Sequence, residues 1–263
     1  MNLRGGLALV RRSVTSYMAS RAFFWTLALG WMMAPLVYLF VWVTAAGRGS
    51  TAGYGRDEFI VYYLALMVVN QLTYPVSNWT VGDTIRMGYF STWLLRPLPA
   101  VFEAVATDVA AKVVCVPFTV GVAAALGLVL RPSFTLTVPA LLTFLAALVL
   151  AQALRFGCAY VLALTTLWSH RSDALLSLHD TLLFLLAGQV APTALLPGAL
   201  QRVAGVLPYR YMMGFPLELL LGRQGPAEVG AGFAWQAGWL VAILLAHQIV
   251  WRQGLRRYGA VGG

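Results

Sequence analysis

Two kinds of pattern follow one another along this chain: one short amphipathic stripe, then long runs with few polar breaks. In residues 2–20, Leu3, Leu7, Val10, Val14 and Tyr17 recur every three or four positions, while Arg4, Arg11 and Arg12 fall elsewhere on the helical wheel. That spacing predicts a short helix lying in the membrane interface. Six apolar runs follow, at 22–46, 59–80, 101–130, 138–168, 174–196 and 234–251. A helix needs about 20 apolar residues to cross the hydrocarbon core, so each run reads as one crossing. The first run is longer than the apolar core of a secretory signal and reads as an anchor that stays. Residues 47–58 form a polar loop, Arg131-Pro132 closes the third run, and Ser172 or Asp173 can cap the fifth helix. The stretch 197–233 fits neither class. It is too apolar for a solvated loop, and Pro208 and Pro216 cut it into pieces shorter than a span. It reads as a re-entrant segment on the outer side, a shape tolerated at membrane depth only where protein covers the backbone.

Composition narrows the class. The chain is 60% hydrophobic and 10% charged, against roughly 45–50% and 25% in soluble domains. Six crossings leave no room for a soluble domain, so residues 1–263 are expected to form one all-α membrane domain. The net charge of +9 comes from seventeen Arg, one Lys and nine acids. These cations stand singly at the ends of apolar runs, which is a topology signal rather than a nucleic-acid patch. With the N-terminus inside, the cytoplasmic segments hold Arg4, Arg11, Arg12, Arg21, Arg86, Arg96, Lys112, Arg155, Arg171, Arg252, Arg256 and Arg257. The outer segments hold only Arg48, Arg56, Arg131, Arg202, Arg210 and Arg223. Both termini are therefore expected inside. Trp25, Trp79, Trp168 and Trp251 at inner ends, with Trp42 and Trp235 near outer ends, agree. The preference for Arg over Lys, beside abundant Ala, Gly, Leu and Val, suggests a GC-rich bacterial genome and hence the bacterial cytoplasmic membrane. Cys115 and Cys158 lie inside apolar runs without metal or redox spacing and read as packing residues.

Little in the sequence points to catalysis. There is no GxxxxGK[ST] loop for ATP phosphates, no HExxH, no GxSxG, and His170, His179 and His247 are far apart. No catalytic residue, metal site or cofactor is expected in this chain. The second crossing carries a polar face in its inner half, where Asn70, Gln71, Thr73, Tyr74, Ser77 and Asn78 overlap at helical spacing. These residues either wall a translocation path or hydrogen-bond between helices. Asp108 and Lys112 stand at i, i+4 in the third crossing, and Gln152 and Arg155 in the fourth can reach them. Such charges neutralise one another or serve a substrate or proton; Asp180 and His179 in the fifth crossing pose the same choice. Gly121 with Ala125, and Ala123 with Gly127, permit close helix approach in the third crossing.

Three motifs, in this order, resemble a bacterial subfamily of ABC-2-type exporter permeases that includes multidrug and viologen exporters. Gly88 to Leu98, with Leu94-Leu95-Arg96-Pro97, is similar to its G-x-L-x-x-x-L-L-R-P stretch. Ala187-Gly188 through Pro192 to Pro197, with Leu200-Gln201, is similar to its fifth-span exit. Leu207-Pro208-Tyr209-Arg210-Tyr211 through Phe215-Pro216 to Leu221-Gly222 is similar to its outer re-entrant piece, in which Glu218 also falls. Nearly the whole chain is covered. The resemblance implies a transport permease without its own nucleotide site, exporting an amphipathic or lipid-like compound. Its partners would be a second permease, alike or related, membrane lipids, and a dimer of ATPase subunits on the cytoplasmic side that binds ATP and Mg. It also implies that residues 2–20 and 81–87 transmit the ATPase stroke, with Asp83 and Arg86 as the polar contacts. Rival readings are a membrane-embedded lipid transferase and a proton-coupled secondary transporter using Asp108, Lys112 and Arg155.

Overall fold

The computed structural model describes residues 3–47, 50, 53–169 and 172–258. The described residues form an all-helical fold: α1 (Leu3–Ala19), α2 (Arg21–Ala46), α3 (Arg56–Thr73), α4 (Ser77–Arg86), α5 (Phe90–Leu94) and α6 (Val101–Leu130), then α7 (Val138–Leu164), α8 (Asp173–Leu186), α9 (Gly198–Val206), α10 (Pro208–Met212), α11 (Gly214–Leu220) and α12 (Pro226–Leu255). Five stretches are long and apolar enough to cross a membrane: Phe24–Ala46, Arg56–Arg86, Val101–Leu130, Val138–Leu167 and Pro226–Leu255.

The α3–α4 stretch is the axis of the bundle. It is 78% buried, against 28% or less for the other four, because α2, α6 and α7 pack around it. Lipid cannot solvate its polar side chains, so protein must surround them. Phe59, Ile60, Tyr62, Tyr63, Leu66 and Met67 of α3 are sealed against Leu39 of α2 and Met212, Phe215 and Leu217 of the α10–α11 segment. A second core, beside α4, joins Val81, Ile85, Phe90, Ala104, Tyr160 and Leu164. Helix α1 lies along α6, where Arg12 and Arg96 both pair with Glu103. Gly121 meets nothing across its open side, and Gly127 faces Leu64, so the small-residue motif of α6 does not bring two backbones together.

Three elements depart from the apolar count. The second crossing, expected as one helix to residue 80, is two helices that together run on to Arg86, with a break over Tyr74, Pro75 and Val76. Proline lacks the N–H that would continue α3 and forces its predecessor extended; Tyr74 accordingly sits at φ −64°, ψ 123°. The sixth helix starts at Pro226 rather than at 234, with proline in its first turn and Glu228 accepting from the Gly225 N–H at 2.8 Å. The third departure is in the fifth run, 174–196.

There, α8 has 14 residues, about 21 Å at 1.5 Å per residue, short of the roughly 30 Å hydrocarbon core. It stops because Gly188 takes φ +85°, a left-handed conformation costly for any residue with a Cβ, and Pro192 follows. The carbonyls freed by this unwinding are met by side chains. Tyr62 donates to the Gly188 oxygen, and Tyr63 and Trp42 both donate to the Val190 oxygen, each at 2.8 Å. This is how an irregular backbone survives away from water.

Candidate functional site

The break in the second crossing exposes two helix ends inside the bundle. The last turn of α3 has carbonyls without intrahelical partners, and the first turn of α4 has free N–H groups. Neighbouring helices supply one charge to each. Arg155 of α7, 2% exposed, donates to Asn70 Oδ1 at 2.8 Å and Thr73 Oγ1 at 2.9 Å, and its guanidinium carbon lies 5.3 Å from the Tyr74 ring centre. A cation at a helix C-terminus and a carboxylate at an N-terminus both complement the backbone dipole. Asp108 of α6 takes the second role, accepting from the Val76 N–H at 3.1 Å. Its other oxygen accepts from Gln152 at 2.8 Å and pairs with Lys112.

The four charged and polar groups expected to meet thus divide. Gln152 joins Asp108 and Lys112, whereas Arg155 turns away from Asp108 to the end of α3. Both carboxylate oxygens of Asp108 are engaged, which makes it a clamp on the break. Asn70 also reaches the Trp31 carbonyl at 3.5 Å, and Tyr74 packs on the Trp31 ring at 3.8 Å between centroids. Gln71 and Asn78 are buried; Gln71 Oε1 and Asn78 Nδ2 have no partner, and Asn78 Oδ1 accepts from the Trp79 N–H. Ser77 opens α4, and its side chain lies outside the described residues. Asn70, Gln71, Thr73, Tyr74 and Asn78 of this polar face are buried within the chain.

At the far end of α4 from the break, Asp83 and Arg86 lie on a helix where the apolar count placed a connecting segment. They pair with each other, and Arg86 reaches Asp173 at the start of α8 at 2.8 Å. Gly82 makes this approach possible, since a Cβ there would lie 3.0 Å from Ser172 Oγ. The foot of α4 is thereby tied to the foot of α8.

At the opposite end of the bundle, α9, α10 and α11 form the broken segment. Pro208 opens α10; Pro216 sits buried in α11. Tyr209 packs 5.4 Å from the His179 ring, and Tyr211 donates to the Gly205 carbonyl at 2.6 Å while stacking on Trp235. Glu218, 2% exposed, is the anchor: it accepts from Arg210 at 2.7 Å, from Gln224 at 2.8 Å and from Thr193. Burial works against the Arg210 charge, but the Glu218 carboxylate outweighs it and holds the guanidinium above its ordinary value. Arg223 pairs with Glu58 at 2.7 Å and lies over the Tyr54 ring at 3.6 Å. Burial pushes the Tyr54 hydroxyl up to about 12. Tyr54, Thr193, Arg210, Glu218, Arg223 and Gln224 line a polar cavity of about 150 Å³.

Three pairings escaped the reading of the sequence: Arg155 with Thr73, Trp31 on the Tyr74 ring, and Arg223 with Glu58. Only Pro75 was a visible signal, marking where helix ends would need charges. Among the described residues no group of three His, Cys, Asp or Glu side chains could hold a metal ion.

The geometry is that of a membrane bundle with buried, mutually satisfied charges and a helix broken within the apolar zone. Comparison with curated proteins gives no match. The family model for ABC-2 family transporter proteins matches residues 29–262, which takes in the broken helix, both charge clusters and the outer segment. The chain belongs to the ABC-2 family of transporter proteins.

Proposed function

We propose that this chain is the permease subunit of an ATP-driven exporter that moves an amphipathic or lipid-like compound out of a bacterial cell. The family match over 29–262 carries this reading. A chain whose sequence offers no phosphate loop needs its ATP hydrolysed elsewhere, by a pair of ATPase subunits binding ATP and Mg on the cytoplasmic face. A second permease completes the path. Helix α8 and the unwound residues 187–197 together make the sixth crossing, with both termini inside. The satisfied state of Asp108 and Arg155 favours an architectural role for them over proton coupling. The ATPase stroke enters through α1 and the foot of α4, where Asp83 and Arg86 remain partly exposed, and passes to α8 through Arg86 and Asp173.

Affinity purification of the tagged chain from its own cells is expected to bring down a P-loop ATPase. Vesicles carrying the pair are expected to accumulate amphiphiles only with hydrolysable ATP. Arg86→Glu, which sets three acids together, is expected to keep assembly and to cut ATPase-driven transport at least severalfold. Absence of any bound ATPase, with transport driven by a proton gradient alone, would overturn the reading.

A further inference from the structure

The polar cavity around Glu218 adjoins a second one of about 270 Å³, and the two share Arg210 and Gln224 in their walls. The lining changes from one to the other. Tyr211, Phe215, Gly232 and Trp235 wall the second cavity. Trp235, and Val206 beside the lining residue Gly205, leave large apolar surfaces exposed. Together the cavities form a cleft that leads from a polar chamber to an apolar flank. Tyr54 stands just before α3 and Gln224 just before α12, and both helices are long and apolar enough to cross a membrane. The polar chamber therefore lies where these crossings end, at the level of lipid headgroups.

Hydrogen bonds along the cleft do not balance. In the polar chamber both Glu218 oxygens are taken, by Thr193, Arg210 and Gln224, and Arg223 is committed to Glu58. Arg210 Nε is buried without an acceptor, and the Tyr54 hydroxyl holds no hydrogen bond among the described residues. Orphaned donors in such a wall call for acceptors brought from outside. In the second cavity the surplus is of the other kind. Glu228 accepts from the Gly225 N–H through Oε2, while its Oε1 has no partner among the described residues. Arg210 lines the same cavity but pairs with Glu218 instead. Free guanidinium and hydroxyl donors suit phosphate oxygens, and a free carboxylate oxygen suits an ammonium. A purely anionic ligand would meet Glu58, Glu218 and Glu228, three acids against Arg210 and Arg223.

We propose that this cleft binds a zwitterionic phospholipid, with its phosphodiester on Arg210 and Tyr54, its ammonium on Glu228 and an acyl chain along Phe215 and Trp235. The lipid is a resident of the protein rather than its cargo. It fills the space between the α10–α11 segment and α12 and so fixes the broken segment against a crossing. The inference goes beyond the transporter reading and does not depend on it.

The test is titration of the full chain, purified in detergent, with four ligands, read as the rise in melting temperature. Phosphatidylethanolamine is expected to give a saturable rise, and diacylglycerol, which has the chains without the phosphate, none. Phosphatidylglycerol lacks the ammonium and is expected to need about threefold more or higher for its half-maximal rise, the scale of one lost polar contact. Glycerophosphoethanolamine has the headgroup without the chains and is expected to need about tenfold more or higher, since it buries no apolar surface. Glu228→Gln keeps an acceptor for the Gly225 N–H and is expected to bring the two phospholipid midpoints together. Tyr54→Phe keeps the ring beneath Arg223 and is expected to raise the phosphatidylethanolamine midpoint about twofold to tenfold, the worth of one hydrogen bond. Diacylglycerol, phosphatidylglycerol or the chain-free headgroup acting as well as phosphatidylethanolamine would overturn the proposal, as would midpoints unmoved in both variants. The comparison of the four ligands on the unaltered protein stands even if a variant fails to fold. Neither ATP nor transport enters the measurement, so these outcomes are separate from failure of the exporter reading.

Discussion

Arg155 brings a guanidinium into the centre of the bundle, and its position is justified by what would be left without it. Arg155→Met keeps an unbranched apolar stem, in a shorter side chain, but leaves Asn70 Oδ1 and Thr73 Oγ1 without their donor. At about 1–3 kcal/mol for each unsatisfied buried group, the variant is expected to melt several degrees lower in detergent. Arg155→Lys is expected to recover only part, since its ammonium stands on a shorter side chain and lacks the planar guanidinium face that lies near the Tyr74 ring. A wild-type melting temperature for Arg155→Met would show that the end of α3 needs no cation. Gly188 makes a sharper case. Alanine there costs about 1–2 kcal/mol for its left-handed backbone, and its Cβ would lie 2.4 Å from the Tyr62 hydroxyl oxygen. Gly188→Ala is therefore expected to destabilise strongly. Combined with Tyr62→Phe, the loss measured by thermal unfolding should be less than the sum of the two singles, because phenylalanine removes the atom in the way.

At the scale of elements, what could be read in advance depended on whether a neighbour was needed to see it. The C-terminal end of α6 is local: Pro132 forbids continuation and is visible in the sequence, and Arg131 before it leaves the helix at φ 44°. The end of α8 is only partly local: Gly188 and Pro192 mark it, but they do not say what meets the freed backbone. Residues 187–196 are apolar enough to extend a helix, and their unwinding holds because Trp42, Tyr62 and Tyr63, more than a hundred positions away, supply donors to the freed carbonyls. The α3–α4 break lies between these cases. Pro75 announces an interruption, yet counting apolar residues runs straight across it. The identity of its two counter-charges emerges only when α6 and α7 are packed alongside. The same limit explains the candidate site. The pairing of Asp108 with Lys112 follows from helical spacing, whereas the turn of Arg155 toward Asn70 depends on how α7 is rotated against α3. If the break is where the molecule bends, Pro75→Ala restores a backbone donor and stiffens it. The expected result is an unchanged or higher melting temperature with ATP-driven turnover reduced severalfold; full turnover would place the bending elsewhere.

For the whole molecule, the short α8 raises a question of parity. Five crossings put the termini on opposite sides of the membrane, and six put them on the same side. Reporter fusions decide it. Green fluorescent protein at either end is expected to fluoresce, and alkaline phosphatase at either end to stay inactive, as both termini inside requires. An active phosphatase at the C-terminus would mean that α8 and residues 187–197 do not complete a crossing, and that α12 runs in the other direction.

The dependence of the broken helix on its neighbours also has a consequence for the making of the protein. Helices leave the ribosome in order, and Asn70 emerges 85 positions before the Arg155 that satisfies it. At about 5–20 residues per second, the second helix waits several seconds with its polar face and interrupted backbone unmatched. Lipid is the wrong place for that wait. The nascent segment is better kept beside the insertion machinery, or partly in water, until α6 and α7 arrive and the four enter together. Chains cut short before Arg155 should then fail at membrane integration itself, a fault of timing rather than of final stability.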